Sequence, residues 1–248
     1  MDCSKLSYID NSNNGYKTSY VANNLLLFAL FVFSMFMMSL NYRKKKKKIV
    51  FFGDSITEQG ALAGGYIPRI LQILREQGIE DKYELTGAGV SGDKIYDLYL
   101  RLEDDVLSKG ADVVVIYIGT NDVWDKKIKF TGTDVNTFKT FYDSIINKLV
   151  SAAIKVVVCT PAVIGEVSNA TNEFNEDLDV YSSVIRKLAS DNGLLLIDLR
   201  KAFLAYNNQN NFENAKQGIL TVDSVHLNNK GNQLVAEEMW KVMQNIKL

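Results

Sequence analysis

The chain has 248 residues, 47% hydrophobic and 23% charged, with a formal net charge of −1, which is the composition of a globular protein and not of a disordered or fibrous one. The charge is unevenly spread: residues 1–48 hold eight Lys/Arg and two acids, so of 28 basic and 29 acidic residues 20 and 27 lie beyond, a balance near −7 that argues against nucleic acid as a partner. With one histidine and two cysteines, Cys3 and Cys159, neither a zinc site of ordinary type nor a disulfide framework is expected.

Residues 1–20 are polar, rich in Asn and Ser, and read as disordered. From Leu25 to Leu40 the chain is apolar and uncharged, and its extension to 21–42 approaches the roughly 30 Å hydrocarbon core when built as a helix at about 1.5 Å per residue. The flanks disfavour a cleaved signal peptide, since there is no basic start and no small-residue cleavage site before the lysines. A single-pass membrane anchor at 21–42 is therefore expected, followed by a basic juxtamembrane run at 43–48. Arg43–Lys48 outweigh Lys5 and Lys17, which places the following domain, 49–248, on the cytoplasmic side. The lysines either meet anionic headgroups or simply stop transfer.

Beyond the lysines, strand-like and helix-like stretches alternate. Ile49–Phe52 is a short apolar strand running into Gly53-Asp54-Ser55. Helical spacing follows over Tyr66–Gln77, with Ile67, Ile70, Leu71 and Leu74 on one face. A strand at Tyr83–Leu85 leads to Gly87-Ala88-Gly89, and a helix covers Ile95–Leu107. Asp112–Ile118 is the plainest buried strand, ended by Gly119-Thr120-Asn121-Asp122. A helix at Val135–Ala153, a strand at Lys155–Cys159, a helix at Leu178–Asn192, a strand at Leu194–Ile197 and a helix at Lys230–Ile246 complete the chain. Five continuous apolar strands alternating with helices predict an α/β domain with a parallel sheet covered on both faces.

A serine at the carboxyl end of a buried strand stands where open α/β sheets bind ligands, although Gly-Asp-Ser is also an ordinary turn. Serine is a weak nucleophile until a base takes its proton. The one histidine, His226, follows Asp223 by three residues, close enough for the carboxylate to accept the Nδ1 proton through a turn. Gly89 and Asn121 each follow a strand, so their loops emerge at the same sheet edge as Ser55. A glycine lets backbone approach a ligand, and an asparagine amide can donate to a developing oxyanion. Gly87-Ala88-Gly89 does not continue into G-x-G-x-x-G and no P-loop lysine follows, so a nucleotide site fits poorly.

Four blocks in order, Gly53-Asp54-Ser55-Ile56-Thr57, Gly87-Ala88-Gly89-Val90-Ser91-Gly92-Asp93, Gly119-Thr120-Asn121-Asp122 and Asp223-Ser224-Val225-His226, resemble the SGNH/GDSL hydrolase family of esterases, lipases and thioesterases. The resemblance implies a flavodoxin-like three-layer α/β/α sandwich with a central five-stranded parallel sheet and no cofactor. It implies Ser55 as nucleophile, His226 as base, Asp223 as its orienting acid, and an oxyanion hole from the N–H groups of Ser55 and Gly89 with the Asn121 side chain. Many members start the second block with Asn where this chain has Gly87. The expected activity is hydrolysis of a small-acyl, acetyl or lipid-like ester through an acyl-enzyme on Ser55. Acyl transfer on the same triad, or a catalytically silent binding module, are the alternatives. Trp124 and Phe130 either line an acyl pocket or pack their own loop, with packing favoured.

Overall fold

The structure, a computed structural model, describes residues 23–36, 45–167 and 171–246. The chain divides into two compact units, Met1–Lys45 and Lys46–Leu248. In the first, residues 23–36 form helix α1, whose apolar side chains, Leu25, Phe28, Phe31 and Phe33 among them, are exposed.

This corrects the expected anchor. Among the described residues no helix is long and apolar enough to cross a membrane. The described part of α1, residues 23–36, rises roughly 21 Å, against a hydrocarbon core of roughly 30 Å. The single-pass span at 21–42, membrane attachment through it, and the cytoplasmic placement of the domain fall together, because the orientation argument needs a span to orient. The ends of that expected span, and the disordered stretch expected at 1–20, lie outside the described residues. The lysine run also has a different role at its end. Lys47 and Lys48 open the first strand, paired with Tyr83 and Glu84, and Lys48 N–H donates to Asp112 Oδ2 at 2.9 Å.

The second unit is built on five strands: β1 (Lys47–Gly53), β2 (Tyr83–Gly89), β3 (Val113–Tyr117), β4 (Lys155–Cys159) and β5 (Leu195–Ile197). All pairings are parallel, in the order β2-β1-β3-β4-β5, the doubly wound order of flavodoxin-like sheets. Alternate side chains of each strand feed opposite cores. Val50, Phe52, Val114, Ile116, Val156 and Val158 pack with α4 (Ile95–Leu102), α6 (Val135–Ser151) and α7 (Asn175–Asp191). Ile49, Phe51, Val113, Val115, Val157 and Cys159 pack with α3 (Tyr66–Glu76), α8 (Leu199–Asn210) and α9 (Asn229–Met243). The result is the expected α/β/α sandwich. It is apolar on both faces of the sheet, which is why the strands read as unbroken hydrophobic runs.

Four elements differ from the sequence reading. Helix α2 (Ser55–Gly60) begins at the serine itself, with no intervening loop. Helix α5 (Thr120–Ile128) occupies a stretch read as loop, and α8 was not expected, because both carry many polar residues and so lack a strong apolar period. β2 runs on through Gly87 to Gly89. Glycines are poor strand formers by propensity, but α2 lies so close that a Cβ on Gly87 would meet Ala61 Cβ at 2.6 Å.

Candidate active site

β1 sits between β2 and β3, so the chain leaves its carboxyl end at the point where the sheet winds in both directions. Such a switch point opens a crevice for ligands. The exit from β1 is tight. A Cβ on Gly53 would stand 2.3 Å from Tyr117 O and 2.4 Å from Thr57 Oγ1, so no larger residue fits. Asp54 then caps α2: its backbone is extended, its Oδ1 accepts Ile56 N–H at 2.9 Å, and its carbonyl accepts Thr57 and Glu58 N–H at 3.1 and 3.0 Å. Strand, cap and helix start thereby hold Ser55 at the sheet edge, 8% exposed.

β2 ends beside it. Gly89 pairs with Gly53 in register, and a Cβ there would lie 2.1 Å from Glu58 N and 2.7 Å from Asp54 O. On the other flank, Gly119 with φ of 122° turns the chain from β3 into α5, a conformation that favours glycine. Asn121 on α5 donates one amide proton to Asp93 O at 3.0 Å, which leaves a second for a ligand. Its neighbour Asp122 is fully buried and accepts Ile95 N–H.

His226 arrives on the loop between α8 and α9. Thr221 and Leu227 form an antiparallel bridge, and Val222 N–H donates to His226 O at 2.8 Å. Inside this small loop Asp223 folds back: its Oδ1 accepts Val225 N–H at 3.1 Å and His226 N–H at 2.7 Å, with Ser224 at φ of 77° making the turn. His226 Nδ1 lies 2.6 Å from Asp223 Oδ2, and Nε2 lies 3.0 Å from Ser55 Oγ.

The loop has an anchor that the sequence did not suggest. Glu166 is 1% exposed, and its carboxylate accepts N–H groups from Ile219 at 2.8 Å, Leu220 at 2.5 Å and Thr221 at 2.7 Å. Gly165 N–H donates to Ser224 O at 2.7 Å and Glu166 N–H to Lys216 O at 2.9 Å. A lone acid in an irregular stretch carries no spacing signal when its partners lie over fifty residues further on.

A cavity of about 290 Å³ opens over these groups, lined by Ser55, Asn121, His226, Trp124, Val225 and Lys129 among others. A larger recess of about 710 Å³ lies between α4 and α6 and contains none of the five residues singled out in the sequence. Trp124 both lines the site and packs, stacking on Phe174 with centroids 5.2 Å apart. Phe130 does neither and is 89% exposed. Among the described residues, no cluster of three His, Cys, Asp or Glu side chains is arranged to hold a metal ion.

The carboxyl groups around the site are pushed in opposite directions. Burial pushes Asp54 up to about 7, aided by the negative charges of Asp122 and Asp93 and opposed by the Ile56 hydrogen bond. Burial likewise takes Asp122 to about 7 against its hydrogen bonds. For Asp223 burial also raises the pKa, but hydrogen bonds from the His226 ring and from the His226 and Val225 N–H groups win, and it stays below the ordinary carboxylate range. An anionic Asp223 thus faces His226 Nδ1.

Residues 51–234 match the GDSL-like lipase/acylhydrolase family. The chain belongs to that family. The resemblance drawn from the four blocks is thus borne out, as is the α/β sandwich, and the GDSL-family chain is a hydrolase of ester bonds. The crystal structure of an acetyl xylan esterase, AlAXEase, is 57% identical, with a TM-score of 0.77 over 78% of this chain and 98% of that one. The acetylxylan esterase of Geobacillus stearothermophilus is 28% identical over 172 residues, 63% of this chain and 78% of the relative. LAE5, an α/β hydrolase from the metagenome of Lake Arreo, Spain, is 25% identical with a TM-score of 0.70 over 80% and 95% of the two chains.

Proposed function

We propose that this GDSL-family chain is a serine esterase that removes acetyl groups from a hydroxylated, sugar-like substrate through an acyl-enzyme on Ser55. The observation that carries the reading is His226, hydrogen-bonded at once to Ser55 Oγ and to Asp223. Ser55 Oγ attacks the ester carbonyl carbon while its proton passes to His226 Nε2. The tetrahedral oxyanion takes hydrogen bonds from the N–H groups of Ser55 and Gly89 and from the Asn121 amide. Collapse of that intermediate returns the Nε2 proton to the departing alkoxide and leaves acyl-Ser55. Water then repeats the sequence, with His226 as base, and releases the acid. Asp223 keeps the imidazole in the tautomer with Nδ1–H and stabilises the imidazolium.

Support for a short acyl group comes from the cavity of about 290 Å³, at the lower edge of ligand pockets in general. Support for an acetylated sugar comes from the acetylxylan esterases among the relatives. The test is a series of p-nitrophenyl esters from acetate to palmitate, alongside acetate release from acetylated xylan. Turnover should fall steeply with chain length and vanish in Ser55→Ala. Wild-type turnover in Ser55→Ala would remove the nucleophile assignment, and a preference for palmitate would remove the acetyl one.

A further inference from the structure

Arg101, on α4, has no part in the site as described so far, yet it bonds the backbone at the ends of both β1 and β2. Its side chain is only 17% exposed. Nη2 donates to Gly53 O at 2.7 Å, Nη1 to Ala88 O at 3.1 Å and to Asp105 Oδ2 at 2.7 Å, and Nε to Asp93 Oδ2 at 2.6 Å. The guanidinium carbon also lies 4.5 Å from the centroid of the Phe52 ring. One planar group therefore joins the end of β1, the end of β2 and the loop that follows β2.

Two of these bonds reach the proposed oxyanion donors indirectly. The Ala88 carbonyl and the Gly89 N–H belong to the same rigid peptide plane, so fixing one fixes the direction of the other. Asp93, held through its carboxylate by Arg101, is the residue whose carbonyl receives the Asn121 amide at 3.0 Å. Without that carbonyl the Asn121 side chain would be free to rotate about its two χ angles. Lysine could not reproduce the arrangement, because a single ammonium lacks the fixed fork that reaches several acceptors in one plane.

We propose that Arg101 is a positioning residue that sets the direction of the Gly89 N–H and, through Asp93, of the Asn121 amide. The inference rests on the reading of Gly89 and Asn121 as oxyanion donors. Donors aimed at charge that develops only in the transition state act on kcat and leave ground-state binding alone. A misplacement on the order of 1 Å can cost about 10²-fold.

The experiment is a double-mutant cycle on p-nitrophenyl acetate hydrolysis with Arg101→Met, Asn121→Ala and the pair. Arg101→Met should lower kcat by about 10²-fold with KM within about twofold. In the Asn121→Ala background the same change should cost much less, since one of the donors it aims is already gone. A residue that merely stabilises the fold would instead multiply the two losses. Asp93→Asn serves where Arg101→Met does not fold: it removes the ion pair and keeps the residue 93 carbonyl, and it should show the same kcat-selective, non-additive loss. Wild-type kcat in these variants, or fully additive losses, overturns the role of Arg101 while Asn121→Ala remains impaired. Wild-type kcat in Asn121→Ala alone would remove the oxyanion reading itself, and this inference with it.

Discussion

His226 Nε2 lies 3.0 Å from Ser55 Oγ, although 171 residues separate them in the chain. On the far side of the ring, Asp223 Oδ1 takes two backbone N–H bonds while Oδ2 faces Nδ1. Asp223→Asn would keep the backbone bonds and turn an amide N–H toward Nδ1. That favours the wrong tautomer, with a proton on Nε2 pointing at the serine. We expect kcat for p-nitrophenyl acetate to fall about 10³–10⁴-fold with little change in KM, as read by steady-state kinetics. A loss below tenfold would show that Asp223 does not orient the base.

Gly89→Ala tests the second side of the site. The new Cβ would meet Glu58 N at 2.1 Å, Thr57 C at 2.6 Å and Asp54 O at 2.7 Å, all of them backbone atoms that cannot swing aside. Either β2 or the start of α2 has to move, and Ser55 heads α2. The substitution should cost about 1–3 kcal/mol of stability by overpacking and lower kcat at least about 10²-fold. Urea unfolding and steady-state kinetics on the same preparation measure both.

Glu166→Gln should loosen the acid–base loop from beneath. The amide NH2 of glutamine would replace a carboxylate oxygen that now accepts from Leu220 and Thr221 or from Ile219, leaving buried N–H groups without an acceptor. A loss of roughly 1–3 kcal/mol follows from the unmade bonds. Hydrogen exchange should speed up selectively at the amides of residues 219–221. Unchanged protection there would mean that the carboxylate is dispensable.

Asp54 makes stability depend on pH with a definite sign. Its pKa rises from an ordinary 3.8 to about 7 on folding, so between those values the folded chain holds a proton that the unfolded chain releases. Stability contributed by protonated Asp54 is thus full below the lower value and is lost as pH rises toward about 7, after which the slope flattens. Asp122, also raised to about 7, acts in the same direction. Asn at position 54 keeps an oxygen for the Ile56 N–H and cannot ionise. Asp54→Asn should therefore raise Tm relative to wild type more at about pH 8 than at about pH 4. Equal differences at the two pH values would count against a buried, protonated Asp54.

Much of this molecule is written in local pattern. Runs such as Val113–Tyr117 and Val156–Cys159 have to be buried strands because nothing in them can face water, and alternation with amphipathic helices leaves an α/β sandwich as the natural outcome. Ser55, Gly89, Asn121, Asp223 and His226 were nameable for a related reason: each lies at a strand end or in a short turn, within a block of a few residues. What pattern could not supply is whatever depends on partners distant in the chain. The order β2-β1-β3-β4-β5 sets which strand ends are neighbours, and hence that Gly89 pairs beside Gly53. Glu166 and Arg101 look like any surface acid and base until the fold surrounds them with backbone groups to bond. The apolar stretch after residue 24 shows the converse. Composition suggested a membrane span, but among the described residues no helix is long and apolar enough to cross a membrane. Residue type and spacing thus govern which groups are available for ester chemistry. The long-range packing of one sheet brings Nε2 to Oγ.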